Sequence, residues 1–565
     1  MMAASPRHPF EAEAGLADYL ERHARTSPEK TAIIHPDGRE ADGGIRYREL
    51  SYGELQGRVE ELAAGFSRIG ITSGMRTILM PKPGPDLYIL VFALLRIGAV
   101  PVVVDPGMGI KRMLNCYRAV GAEAFVGPSV AHAVRVLGRR TFSTVRIKVT
   151  LGRRWFWGGH TRDGLLGGSG SAPAGPVTGD DLMMIAFTTG STGAAKGVES
   201  VHRMATATAR QMHAAHGRDR EDVSLVTVPI WGLFDLIYGS TMVLAPIAPA
   251  KVAQADPELL TAALTRFGVS TVFGSPALFR VLAAHLERER TPLPALRSVV
   301  SAGAPVPPDL VASLRRVLDE RTGIHVAYGA TEAMPISSIE SAEILGETAA
   351  RGALGDGTCV GRPVDGTDVR IVRVSDDPLP DWEAGLAVAP GEIGEIVVSG
   401  DVVSPRYHAT ADANAQYKIR ERPAAGPERS WHRTGDLGYL DDAGRLWFCG
   451  RRAQRVRTAE GDLHTVRCEG VFNAHPLVRR SALVGIGAPG AQRPVVCVET
   501  EPGVGEEQWQ ELLTELRRLG AGRPLTAGLQ EFLRHPGFPV DIRHNAKIGR
   551  EELAGWAEQQ TSART

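Results

Sequence analysis

The sequence predicts an α/β protein. A large amino-terminal domain of several subdomains with mostly parallel sheets spans residues 1–450, and a small α+β domain spans 451–565. Three observations carry this prediction. The 565 residues exceed what one ordinary core accommodates. Apolar strand-like runs alternate with amphipathic helical runs through the first half. After Gly450-Arg451 the composition changes again.

The elements follow in order. Residues 59–69 are amphipathic at helical spacing and precede a short apolar run at 77–80. A helical stretch at 87–96 leads into a strand-like run at 99–104, which ends at Asp105-Pro-Gly. This βαβ alternation implies a parallel sheet covered by helices. Further strands are expected at 182–187, 223–228, 269–273 and 298–301, with a Gly/Ser/Pro-rich loop at 167–179. From about Asp368 short strands and turns take over, at 369–374 and 394–399. In the last domain, strands are expected at 482–486 and 495–499. A helix is expected at 509–519, with Gly520 as its stop.

Composition excludes several functions. The 64 basic and 64 acidic residues cancel, which argues against a nucleic-acid partner. The amino terminus lacks the apolar stretch of a secretory signal, and no run of about 18 apolar residues predicts a membrane span. Cys116, Cys359, Cys449, Cys468 and Cys497 are scattered and never form a CxxC, so reduced thiols and a cytoplasmic location are expected. Only eight of the 64 basic residues are lysine, so a lysine retained inside a motif is informative.

The strongest local signal is Phe187-Thr-Thr-Gly-Ser-Thr-Gly-Ala-Ala-Lys-Gly197, which follows an apolar strand. The small residues Thr188, Thr189, Gly190, Ser191, Thr192 and Gly193 let a backbone wrap closely around phosphates. Their hydroxyl and N–H groups donate to phosphate oxygens, and Lys196 offsets the charge. A flexible surface loop is the bland alternative. The run is not a Walker A loop, because the Gly-Lys-Ser/Thr ending is absent. Gly485-Ile-Gly-Ala-Pro-Gly490 matches GxGxxG, but a proline and another strand follow it instead of a helix, so no dinucleotide site is expected there. His213 and His216 lack a third ligand nearby and read as residues on a helix face.

The phosphate loop resembles the signature of the adenylate-forming superfamily of acyl-CoA synthetases, peptide-synthetase adenylation domains and firefly-type luciferases. Its usual form is Thr-Ser-Gly-Thr-Thr-Gly-x-Pro-Lys-Gly, and Ala195 here replaces the proline. The other motifs of that family are matched in order. Tyr52-Gly-Glu-Leu55 comes first, then Ser301-Ala-Gly-Ala-Pro305 and Tyr328-Gly-Ala-Thr-Glu332. Gly391-Glu-Ile-Gly-Glu395, Trp431-His-Arg-Thr-Gly-Asp436, Gly450-Arg451 and Asn545-Ala-Lys-Ile-Gly-Arg550 follow.

The resemblance implies the adenylate-forming fold, with residues 451–565 as a mobile lid, and ATP and Mg²⁺ as cofactors. Gly303, Ala304, Pro305, Tyr328, Gly329 and Ala330 then belong to the nucleotide segments. Thr331 holds phosphate and Glu332 holds Mg²⁺. Asp436 accepts the ribose hydroxyls and Arg451 donates to them. Lys547 reaches the carboxylate and the α-phosphate. Joining two anions requires such cations.

Within the superfamily, the ending His535-Pro-Gly-Phe-Pro-Val-Asp-Ile-Arg-His-Asn-Ala-Lys547 and the early Val100-Pro-Val-Val-Val-Asp-Pro-Gly107 resemble the β-lactone synthetases of bacterial olefin and β-lactone pathways. Ala453 stands where thioester-forming relatives carry Asp or Lys at the hinge, and Ile230-Trp-Gly232 lacks their histidine beside the acyl pocket. The implied substrate is a 2-alkyl-3-hydroxy fatty acid whose own hydroxyl displaces AMP, so CoA is not expected. The implied partners are a thiolase-like condensing enzyme, a reductase and a β-lactone decarboxylase. A fatty acyl-CoA or acyl-AMP ligase, and a non-catalytic scaffold, are the alternatives.

Between Glu123 and Asp163 there is no acidic residue, while Arg135, Arg139, Arg140, Arg146, Lys148, Arg153 and Arg154 precede Trp155-Phe-Trp157. Residues 135–157 form either an ordinary surface run with partly buried aromatics or a docking patch for membrane lipid or a partner enzyme.

Overall fold

A computed structural model describes residues 15–41, 43–168, 177–188, 195–424, 426–540 and 547–562. The first sheet has seven strands. Their order is His160–Thr161, Ile147–Leu151, Ala124–Pro128, Arg76–Leu79, Val100–Val104, Leu182–Thr188 and Lys196–Val201. All neighbours run parallel except the last two strands, which form an antiparallel hairpin. The helix Tyr52–Arg68 begins earlier than the amphipathic pattern alone suggests, because Ser51 and Glu54 form a reciprocal capping box. The helix Pro85–Arg96 is apolar nearly all round, and Tyr88 to Leu95 are accordingly buried in the main core.

The second sheet has fourteen strands. Its parallel heart comprises Thr241–Leu244, Val223–Val226, Thr271–Gly274, Ser298–Ser301 and Gly323–Ala330. At one end Thr31–Arg39 adds a further parallel neighbour to Thr241–Leu244 and pairs antiparallel with Ile45–Ser51; at the other the chain turns back at once into Ala333–Glu340, and from there the sheet is antiparallel. It continues through Thr358–Pro363, Leu446–Arg451, Arg429–Leu440, Gly394–Gly400 and Thr367–Val372. The change of character thus comes near residue 331, ahead of the position near Asp368 that composition marks. A hairpin needs only a tight turn, and composition does not distinguish its strands from parallel ones.

Beyond Arg451, Val456–Thr458 pairs with Gly461–Leu463, and Val478–Ile486, Arg493–Thr500 and Phe532–Arg534 form a separate three-stranded sheet. Helices Thr465–Asn473, Glu506–Ala521 and Arg550–Ser562 accompany these strands. Gly520 does not stop its helix: it lies inside Glu506–Ala521, buried, where an added Cβ would come within 3.4 Å of the Phe472 ring. Its smallness serves helix packing instead of termination. Gly485 and Ile486 are the last paired positions of a strand that returns directly as Arg493–Thr500, so GxGxxG opens no helix. All five cysteines are buried and free. Among the described residues, no helix is long and apolar enough to cross a membrane.

Candidate active site

Thr188 pairs with Lys196 across the antiparallel strands Leu182–Thr188 and Lys196–Val201. Thr189, Gly190, Ser191, Thr192 and Gly193 lie outside the described residues. The Lys196 ammonium stands 3.5 Å from the centre of the Tyr417 ring and 5.4 Å from that of Tyr407, a cation–π seat at the foot of the hairpin.

Residues 403–408 tie this hairpin to the second sheet. On one side Val198 bridges Tyr407, and the His408 N–H donates to the Gly197 carbonyl at 2.7 Å. The buried Glu199 carboxylate binds Arg406 at 2.7 Å and His408 at 2.8 Å. On the other side Val403 bridges Ala333, and the Ser404 N–H donates to the Glu332 carbonyl at 2.7 Å. The Tyr407 hydroxyl donates to Glu332 Oε1 at 2.8 Å. Glu332, half-buried, and Thr331, exposed, occupy the tight turn between Gly323–Ala330 and Ala333–Glu340.

Gly303, Ala304 and Pro305 follow the end of Ser298–Ser301, whose Ser301 pairs with Val326 of the neighbouring parallel strand. Tyr328, Gly329 and Ala330 continue that neighbouring strand two to four residues beyond the pair. Gly303 has φ +86°, in the left-handed region that glycine tolerates. At Gly329 a Cβ would lie 2.9 Å from the Ala333 carbonyl oxygen, which only glycine avoids.

Asp436 and Arg451 face each other across adjacent strands. The Tyr328 hydroxyl donates to Asp436 Oδ2 at 2.7 Å, and Arg451 Nε lies 3.4 Å from Oδ1. The second approach is an ion pair without hydrogen-bond geometry, so the buried Oδ1 has a lone pair to offer a ligand hydroxyl. Burial raises the Asp436 carboxyl. Arg451, the Tyr328 hydroxyl and the Lys547 ammonium oppose that rise, while Glu332 adds to it. Arg451, Lys547 and Glu332 thus act on Asp436 through one electrostatic field, although more than 200 residues of chain separate Glu332 from Lys547.

Among the described residues no three His, Cys, Asp or Glu side chains could cage a metal. A single carboxylate such as Glu332 suits a magnesium ion that takes its other ligands from phosphates and water.

Sequence reasoning passed over two parts of this region. Lys418 is fully buried; its ammonium donates to the Ser404 carbonyl at 2.5 Å and to Ser404 Oγ at 3.1 Å, beside Glu332. Lysine scarcity was the signal available for it. Glu395 and Arg433, both motif residues, form a buried pair at 2.5 Å, and Arg452 joins them at 3.3 Å. These charges compensate one another inside the scaffold that carries Asp436 and Arg451. His213 and His216 bond to the Arg218 carbonyl and to Ser338 Oγ, and both are structural. In Ile230-Trp-Gly232, Trp231 stacks on Phe273 at 3.7 Å.

A strand pair seating Lys196, a paired Asp436 and Arg451, and the Glu332 turn, joined across two sheets by residues 403–408, are the site of an ATP-dependent, AMP-forming enzyme. The AMP-binding enzyme family model matches residues 20–408, and the chain belongs to that family. It is 46% identical over 551 residues to the olefin beta-lactone synthetase of Xanthomonas campestris pv. campestris, covering 96% of this chain and 98% of the relative. It is 45% identical to the olefin beta-lactone synthetase of Stenotrophomonas maltophilia, covering 97% and 99%. Among solved structures, the amide bond synthetase McbA from Marinactinospora thermotolerans superposes with a TM-score of 0.74 at 23% identity, covering 96% of this chain and 99% of that one. The o-succinylbenzoate coenzyme A synthetase of Bacillus subtilis with ATP and magnesium ion superposes at 0.72 and 19% identity, covering 95% and 98%. At such identities these two structures speak to the fold.

Proposed function

We propose that this enzyme activates a 2-alkyl-3-hydroxy fatty acid with ATP and closes it to a β-lactone, releasing AMP and pyrophosphate. The observation that carries the reading is near-full-length identity of 46% to a relative named olefin beta-lactone synthetase.

In the first step a carboxylate oxygen attacks the α-phosphorus and pyrophosphate leaves. Lys547 lowers the cost of bringing the two anions together, Asp436 and Arg451 hold the ribose, and Thr331 and the 188–196 hairpin hold the phosphates. Glu332 would hold Mg²⁺, which would supply further charge neutralisation on the phosphate oxygens. In the second step the 3-hydroxyl oxygen bonds to the acyl carbon, the acyl–phosphate C–O bond breaks, and AMP leaves with the electron pair while the hydroxyl proton is lost. The nucleophile is tethered to its electrophile, which removes the entropic cost of a bimolecular encounter and offsets ring strain. CoA has no part in this scheme. A thiolase-like condensing enzyme and a reductase would supply such an acid, and a β-lactone decarboxylase would consume the product.

The test is mass spectrometry of reactions with a carboxylate-¹⁸O 2-alkyl-3-hydroxy acid, ATP and Mg²⁺, with and without CoA. The expected product is lighter than the acid by one water, one label appears in AMP, and CoA changes nothing. The 3-deoxy acid stalls at the acyl adenylate. A CoA-dependent thioester would replace this reading with that of an acyl-CoA ligase, the activity named for relatives 27% identical such as the feruloyl-CoA synthase of Amycolatopsis.

A further inference from the structure

The described surface exposes eight large apolar side chains, and four of them, Val130, Leu137, Trp155 and Phe156, fall within 27 consecutive positions. That concentration falls at the edge of the seven-stranded sheet, whereas Asp436 belongs to the fourteen-stranded one. Val130 and Leu137 are seven residues apart on the helix Ser129–Leu137 and share a face. Trp155 and Phe156 sit on the loop after Ile147–Leu151, half exposed and 79% exposed respectively.

Helix and loop are fastened together. Ser129 Oγ donates to the Arg153 carbonyl, and the Trp157 ring stacks on the buried His132 at 5.3 Å and 12°. Trp157 Nε1 donates to Thr150 Oγ1 at 3.0 Å. Trp157 is thus buried at 8% exposure, so of the aromatics in residues 135–157 only Trp155 and Phe156 remain available for docking. Trp157 is the anchor that leaves Trp155 and Phe156 facing outward. Arg153 and Arg154 precede them on the loop and Arg139 and Arg140 follow the helix; all four are exposed, and none forms an ion pair among the described residues. Asp86, in the first turn of the helix Pro85–Arg96, is paired with Arg162 at 2.7 Å.

We propose that the helix Ser129–Leu137 and the loop 152–158 form a docking surface for an anionic lipid bilayer. The stretch between Glu123 and Asp163 is cationic throughout and holds no acidic residue, so its charge complements an acidic lipid surface. Aromatic rings that enter the headgroup region, flanked by cations that meet acidic lipids, are the pattern of a peripheral membrane contact. The inference stands on this surface alone and does not depend on which acyl acceptor the active site uses.

Full-length protein sedimented with phosphatidylcholine vesicles, or with vesicles of two parts phosphatidylcholine to one of phosphatidylglycerol, tests the proposal. Wild type should co-sediment with the anionic vesicles only, and high salt should release it. Trp155→Ser/Phe156→Ser and Arg139→Gln/Arg140→Gln should each weaken binding about tenfold with unchanged melting temperature and pyrophosphate release. Leu354→Ser, an exposed apolar residue elsewhere, should bind as wild type does. No binding to either vesicle, equal binding to both, or equal loss in Leu354→Ser overturns the proposal. So does a wild-type self-association or protein complex in analytical ultracentrifugation that the aromatic variant abolishes without any vesicle binding, an outcome that assigns the surface to protein contact.

Discussion

Asp436 and Lys547 share one electrostatic field, yet they meet the reaction at different moments. Asp436 is buried and holds its partners before anything reacts, so Asp436→Ala should raise the ATP KM about tenfold to a hundredfold, as expected for losing charge-assisted hydrogen bonds. Lys547 is exposed and acts on charge that develops as the carboxylate meets phosphate. Lys547→Ala should therefore abolish acid-dependent pyrophosphate release while ATP binding, followed by calorimetry, stays near wild type. Near-normal pyrophosphate release in that variant would remove Lys547 from the chemistry. Lys418 presents a different residue-scale effect. Burial pushes its ammonium down to about 7, with the Glu332 charge working against that shift. A lysine depressed in the fold binds its proton more readily when unfolded, so its contribution is full above the unfolded value and is lost as pH falls toward 7. Melting temperature should therefore gain from this group between pH 7 and 10. In Lys418→Met that gain should disappear, and identical pH slopes for the two proteins would show that Lys418 stays charged.

The elements matter through what they hold apart or together. The turn at Thr331–Glu332 exists because Gly329 allows the returning strand to pass at 2.9 Å from where a Cβ would stand. Residues 403–408 lace the phosphate hairpin to that turn, so Lys196 and Glu332 share Tyr407 as a common neighbour. At the opposite edge, Trp157 packs the loop 152–158 against the helix Ser129–Leu137. Trp157→Ser should cost about 3 kcal/mol by leaving a cavity beside His132 and an unpaired Thr150 hydroxyl. The exposed Trp155→Ser should cost less than about 0.5 kcal/mol. Denaturant unfolding of the two variants, with equal losses in both, would show that the stacked pair is no anchor.

On the scale of the whole molecule, residues after Arg451 build their own sheets and cores while remaining joined to the larger part by specific bonds. Arg467 Nε donates to the Gly355 carbonyl at 2.6 Å, and Arg455 binds Asp376 at 2.8 Å. Ala453 sits exposed in the short turn Arg452–Gln454, between the buried Arg452 and Arg455. If the lactone closes on the same domain arrangement that forms the adenylate, Ala453→Asp should change turnover by less than about twofold, because an exposed carboxylate beside two arginines alters stability little. A large loss of turnover with intact adenylation would instead reveal a rotation between the two steps.

The sequence by itself marked the alternation of strands and helices and strands such as Leu182–Thr188, Ser298–Ser301 and Gly394–Gly400, but not Gly323–Ala330, Arg429–Leu440 or Leu446–Arg451, which carry Tyr328, Asp436 and Arg451. Local spacing encodes the marked strands directly: Ser298–Ser301 is a strand end to end because four apolar or small residues sit between turn signals. It also marked Lys196 and Lys547, through the rarity of lysine and the motifs around them. Only the tertiary structure decided which motif charges meet one another and which remain for a ligand. Glu395 and Arg433 lie in motifs like those of Asp436 and Arg451, yet the first pair is sealed inside and the second keeps an accepting oxygen. The same holds at the patch, where of two neighbouring tryptophans Trp157 finds His132 to stack upon and Thr150 to bond, and Trp155 stays exposed. Long-range packing sets burial and partners. No local pattern specifies it, which is why Lys418 beside Glu332 became visible only once residues 403–408 had brought both to Ser404.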